Sequence, residues 1–193
     1  MAELRPRNAA AGWVAIALAI VTVVTVVCLI IFYLVAGPFG SINDAGNGLI
    51  GVLSAVLAFL LQRRAGGPVG VVVAVTGAAV AVWGSLLVMT GTTAFVLAGF
   101  VSTIGFGLIG AWLAMMAWSP MADDWSNGLR RLARVTSVAM VIGGIAAVPG
   151  ALMGIDDFGH VPAWLWLFSL AWLGIYVLYP TWALWFGRRL IGS

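Results

Sequence analysis

Two short polar stretches carry the side chains best suited to chemistry. Residues 37–48, GPFGSINDAGNG, bring Asn43, Asp44 and Asn47 together, and residues 155–160, IDDFGH, bring Asp156, Asp157 and His160. Asn43 and Asn47 are four apart, as are Asp156 and His160, so a helical turn would align each pair on one face. Carboxylates with one imidazole can hold a divalent cation or pass protons as acid and base. If the two stretches meet, they form an acidic outer site. Taken separately, Asp44 caps a helix start and residues 155–160 are a wet acidic loop. Both stretches share an I-x-D-x-G pattern, Ile42–Gly46 and Ile155–Gly159. Inverted repeats would place such copies on opposite sides of a membrane, and these fall on the same side, so the match reads as coincidence.

A second candidate is aromatic. Trp164, Phe168, Trp172 and Tyr176 recur every four residues. On a regular helix they make one stripe, which can pack against lipid or a neighbouring helix. The same stripe could take a flat apolar ligand, such as a quinone, carotenoid or sterol-like lipid, or a partner subunit. Spacing alone does not separate these uses.

Other chemistries are excluded. One histidine cannot supply two haem ligands, and Cys28, the single cysteine, cannot form a disulfide or a cysteine metal site within the chain. Nucleophile-elbow, zinc-protease and phosphate-loop motifs are absent. Ser102 lacks the glycine context of an intramembrane serine protease, and His160 falls in a loop. No cofactor is implied. The tryptophan content resembles that of tryptophan-rich sensory proteins, but those have five spans and this chain reads as six.

The elements that must position these residues follow from composition. Apolar residues make up 63% of the 193 and charged residues 8%, and no charge occurs between Ala65 and Ala122. A soluble domain of this size leaves too much surface wet to hide so much apolar area. The bilayer is therefore the expected solvent, and an all-α polytopic fold in one domain is the expected architecture, because continuous apolar runs without alternation satisfy their backbone only as helices. Crossing about 30 Å of hydrocarbon takes about 20 such residues. Six segments fit: 12–36, 45–62, 69–90, 93–118, 132–153 and 162–186. The first is too long for the apolar core of a signal peptide and reads as a retained helix.

All nine basic residues are arginines, clustered at 5 and 7, 63 and 64, 130, 131 and 134, and 188 and 189. With six spans these clusters share one side, and the positive-inside rule makes that side, with both termini, cytoplasmic in a bacterial-type inner membrane. They form no continuous stripe, which argues against nucleic acid. Trp13, Trp118, Trp125, Trp182 and Trp185 fall near the inner ends of spans, and Trp164 and Trp166 near an outer end, as interfacial belts do. Residues 119–131 read as a loop or a short interfacial helix started by Ser119 and Pro120. Small residues at four-residue spacing, Gly99–Thr103–Gly107–Ala111 and Ala139–Gly143–Ala147–Ala151, predict that spans three, four and five pack most tightly. Pro149 and Pro180 predict kinks.

No ionisable residue falls in the middle of these spans, which argues against a buried proton relay or a voltage sensor. The sequence thus favours a non-enzymatic structural, accessory or lipid-associated subunit whose partners are the bilayer, other membrane subunits or an apolar ligand. A small channel or transporter with an outer vestibule at Asn43–Asn47 and Asp156–His160 is the alternative. A metal-assisted membrane enzyme using the same acidic group ranks third.

Overall fold

The computed structural model describes residues 4–35, 37–62 and 67–192, with side chains from residue 8 onward. Arg63 and Arg64, the side chains of Arg5 and Arg7, and Ala36 at the end of the expected first span lie outside the described residues. Helices run over Leu4–Val35 (α1), Phe39–Leu60 (α2), Gly67–Met89 (α3), Phe95–Ala117 (α4) and Asn127–Leu152 (α5), and a sixth span covers Ala163–Ile191. All six are long and apolar enough to cross a membrane. Their outward faces carry Ile20, Val24, Val72, Ile145 and Leu184, an apolar exterior suited to lipid.

Each helix packs on the next in sequence, and α1 closes the ring against the end of the sixth span. Where α4 meets α5 the backbones touch: a Cβ on Gly107 would sit 2.7 Å from Gly144 Cα. Gly143 packs as closely on Ala171. The α3–α4 and α4–α5 contacts are the most extensive in the molecule, as the small-residue stripes predict.

The second span starts earlier than its hydropathy suggests. Gly37, at φ 89°, turns the chain in a conformation open to glycine, and Pro38 leads directly into α2 at Phe39. Asn43 and Asp44 therefore lie within the helix, as Asn47 does, and not before its start. Asp44 is consequently not a cap, since Pro38 occupies that position without a side-chain bond.

The sixth span is composite. It opens as a 3₁₀ turn (Ala163–Phe168), becomes α-helical (Ser169–Leu173), widens to a π turn (Gly174–Leu178) and ends α-helical (Tyr179–Ile191). Pro180 explains the widening: it has no N–H to donate, and its ring would clash with the Tyr176 carbonyl in a regular α-helix. The Tyr179 N–H bonds instead to the Gly174 carbonyl, five residues back.

The connection before α5 contains a short 3₁₀ helix, Pro120–Asp124. Ser119 stands at its N-cap with Pro120 in the first turn, as the sequence suggests, but its hydroxyl makes no capping bond and donates to the Met116 carbonyl at 2.8 Å. The cap of α5 is Ser126, which accepts from the Leu129 N–H. Trp125 and Trp182 are buried and tilted against each other, so they are packing residues and not belt residues, whereas Trp13, Trp118, Trp164 and Trp185 are exposed. Arg130 pairs with Asp123 at 3.3 Å, Arg134 donates to the Ala117 carbonyl, and Arg189 donates to the Asp124 carbonyl. The start of α5 and the end of the sixth span thus share one end of the bundle, opposite Asp156, Asp157 and His160.

Candidate functional site

Once α2 begins at Phe39, the spacing of its polar residues places them on one face. Asn43, Asn47 and Ser54 are separated by four and seven residues, and all three are buried. Asn43 is 1% exposed, Asp44 6% and Asn47 8%. The polar group expected at the outer start of span two is thus inside the bundle, and Asp44 is an ionisable residue within that helix. It lies five residues into α2, about 8 Å along the axis from the helix start.

A chain of hydrogen bonds fixes the two amides. The Tyr176 hydroxyl donates to Asn47 Oδ1 at 2.8 Å, Asn47 Nδ2 donates to Asn43 Oδ1 at 3.3 Å, and Asn43 Nδ2 donates to the Thr25 carbonyl at 3.1 Å. This chain links the sixth span through α2 to α1. Beside it, the Trp172 indole donates to Thr103 Oγ1 at 3.3 Å, tying the sixth span to α4. Most of the other hydroxyls behave as lone Ser and Thr residues in helices usually do. Thr103 donates to the Gly99 carbonyl, Ser85 to Ala81, Thr22 to Leu18 and Thr136 to Leu132, each one turn back in its own helix. Ser102 instead reaches across to the Ala81 carbonyl of α3 at 3.5 Å.

These groups surround a cavity of about 40 Å³. Its wall combines Asn43, Asp44 and Asn47 with Ser85, Ser102, Thr103, Trp172 and Tyr176, and with Tyr33 and Phe95 at one side. That volume holds a water or two and excludes a flat organic ligand. A second hollow, about 420 Å³ and lined by Phe32, Gly37, Gly40, Ser41, Val96 and Phe158, shares Tyr33, Asp44, Val88 and Phe95 with the first. Asp44 therefore stands between a vestibule at the acidic end and the polar cavity within. Toward the arginine end, α2, α4 and the sixth span pack through Ile50, Leu57, Ile109 and Trp112, all fully buried. There Tyr179 stacks on Trp182 at 5.5 Å, and Trp182 on Phe186 at 5.0 Å.

Asp44 receives no hydrogen bond or ion pair among the described residues. The two acidic stretches do not combine: Asp156, Asp157 and His160 are exposed and line neither hollow. Asp157 accepts from the Gly159 N–H and sits 3.6 Å from His160 Nδ1 in a local turn. Of that segment only Phe158 reaches the vestibule. Among the described residues no three His, Cys, Asp or Glu side chains could share a metal ion. The I-x-D-x-G echo is likewise broken, with one copy helical and the other a turn.

The aromatic stripe divides. Trp164 is outward and 56% exposed, while Phe168 is buried against Phe100, with ring centroids 5.0 Å apart. Trp172 packs on Phe168 and bonds Thr103, and Tyr176 bonds Asn47. The changes of helical type along the span break the single face that regular spacing implies. Nothing in the sequence spacing marks Tyr33 or the Tyr176 hydroxyl as part of a polar site. The α2 face alone carries a signal, in the spacing of Asn43, Asn47 and Ser54.

Comparison with protein-family models, curated proteins and solved structures gives no match.

Proposed function

We propose that this protein is a small membrane channel or transporter that admits a small charged or polar solute to the Asp44 cavity. In this reading the arginine end faces the cytoplasm of a bacterial-type inner membrane, and the vestibule opens on the other side. The orientation is supported by the grouping of Arg130, Arg131, Arg134, Arg188 and Arg189 at one end of the bundle.

The observation that carries the proposal is the burial of Asp44 in a span with no partner side chain among the described residues. An acidic residue at the centre of a membrane helix costs about 2.5–3.5 kcal/mol, and ionisable groups kept there mark solute paths by default. Asp44 lies nearer the helix end, so its cost is smaller, but among the described residues no ion pair offsets it. The accessory-subunit reading follows from the lack of ionisable residues within spans and from apolar faces for partners, and against it stand the burial of Asp44 in α2 and an aromatic stripe of which only Trp164 is exposed. The metal-enzyme reading needed Asp157 and His160 beside Asp44, and they are not there.

The test is electrical. Proteoliposomes adsorbed on a solid support and stepped through gradients of inorganic salts, buffers and small neutral solutes should give a transient current or flux with wild-type protein. Asp44→Asn should reduce it at least about tenfold, equivalent to a barrier raised by about 1.4 kcal/mol. Silence toward every solute, from protein that elutes as a single folded species, would contradict the reading.

A further inference from the structure

We infer that the Asp44 cavity binds a monovalent metal cation of alkali size, an assignment that rests on the transport reading and narrows it to a solute class. Three independent features of the site lead there.

The first is charge. The cavity is lined by one carboxylate, buried to more than nine-tenths, and no arginine or histidine pairs with it among the described residues. A single positive charge neutralises it. A divalent ion would bring an excess charge into a low-dielectric site, where uncompensated charge is heavily penalised.

The second is the direction of the hydrogen bonds. The hydroxyl protons of Ser85, Thr103 and Tyr176 are spent on the Ala81 carbonyl, the Gly99 carbonyl and Asn47 Oδ1. The Trp172 N–H is spent on Thr103. One N–H of each amide is also committed, to Asn43 Oδ1 and the Thr25 carbonyl. What remains is the Asp44 carboxylate, the second lone pairs of the amide oxygens and the hydroxyl oxygens, against one N–H on each amide and the Tyr33 hydroxyl, so acceptors outnumber donors. Oxygen acceptors around one negative charge suit a hard cation and repel an anion.

The third is volume. About 40 Å³ accommodates a small ion with a water or two, and it excludes choline or any organic cation of that size.

Thermal unfolding of the purified protein in detergent tests this without assuming transport. At constant ionic strength set with choline chloride, NaCl or LiCl should raise the melting temperature along a saturating curve, because a ligand bound only by the folded state stabilises it by mass action. CaCl2 at matched ionic strength should give no saturating rise at concentrations up to tenfold those at which NaCl saturates. Asp44→Asn should melt at the same temperature in all salts. Asn47→Asp, which adds a second carboxylate, should gain a response to CaCl2.

Equal melting of the wild type in NaCl, LiCl and choline chloride would overturn the inference, and this series is decisive even if a variant fails to fold. A full sodium response in Asp44→Asn would overturn it too, as would calcium acting like sodium on the wild type. A sodium shift without any current in proteoliposomes would keep the cation site and remove transport. Current that persists unchanged when choline replaces every alkali cation would keep transport and remove the cation.

Discussion

At the scale of single residues, the polar site turns on which side chains only hold structure and which also shape the cavity. Tyr176 and Tyr179 offer a matched pair. Tyr176 donates to Asn47 Oδ1 on the cavity wall, and Tyr179 donates to Ser54 Oγ at 3.1 Å, outside it. Ser54 spends its own proton on the Ile50 carbonyl. Removing either phenol hydroxyl should cost about 0.6 kcal/mol, the average for interhelical hydrogen bonds in membranes. Tyr176→Phe should also cut solute flux several-fold, because Asn47 loses the bond that orients it. Tyr179→Phe should leave flux within about twofold of wild type. Equal effects on flux and melting in the two variants would make the Tyr176–Asn47 bond merely structural. Asn43, Asp44 and Asn47 are legible in the sequence as a set, but hydropathy leaves Asn43 and Asp44 outside the span. Polar side chains at the outer end of a span lower its average hydropathy, so the apolar window begins after these two, although the helix begins before them. Asp156, Asp157 and His160 are legible as a wet acidic loop, and that is how they lie.

At the scale of elements, glycines of one stripe do different work. Gly107 meets Gly144 backbone to backbone, whereas a Cβ on Gly99 would meet nothing within 4 Å, since Gly99 lines the cavity. Gly107→Leu should therefore lower stability in detergent by at least about 1–3 kcal/mol, the usual range for overpacking. Gly99→Ala should leave stability unchanged and narrow the cavity. Melting curves for the two variants check this, and an unperturbed Gly107→Leu would refute the α4–α5 contact. The stripe is readable as spacing, but which glycine faces a helix and which faces a void is not, because that depends on the rotation of α4. The sixth span poses the same difficulty. Its four-residue aromatic repeat assumes an unbroken α-helix, and the π turn before Pro180 changes the residue count per turn midway. Pro180 is visible in sequence as a kink, while the inward turn of Trp172 and Tyr176 depends on the neighbouring helices.

At the scale of the whole molecule, six apolar runs joined by short turns are readable from composition and length, because lipid leaves the backbone few alternatives. The bundle that results is polarised. One end carries the arginines at the start of α5 and the end of the sixth span; the other carries Asp156, Asp157 and the vestibule. Between them, the polar cavity opens toward the acidic end and is sealed toward the arginines by packed aromatic and aliphatic side chains. A path of that form predicts one-sided access to Asp44. The direct measurement replaces Cys28 by Ala, introduces Asp44→Cys, and follows its reaction with a small membrane-impermeant thiol reagent in vesicles of known orientation. Leu57→Cys, in the sealed half, serves as the comparison. Position 44 should be modified rapidly from the side opposite the arginines and not at all from the arginine side, and position 57 from neither. Reaction at position 44 from the arginine side, or inertness from both, would contradict one-sided access.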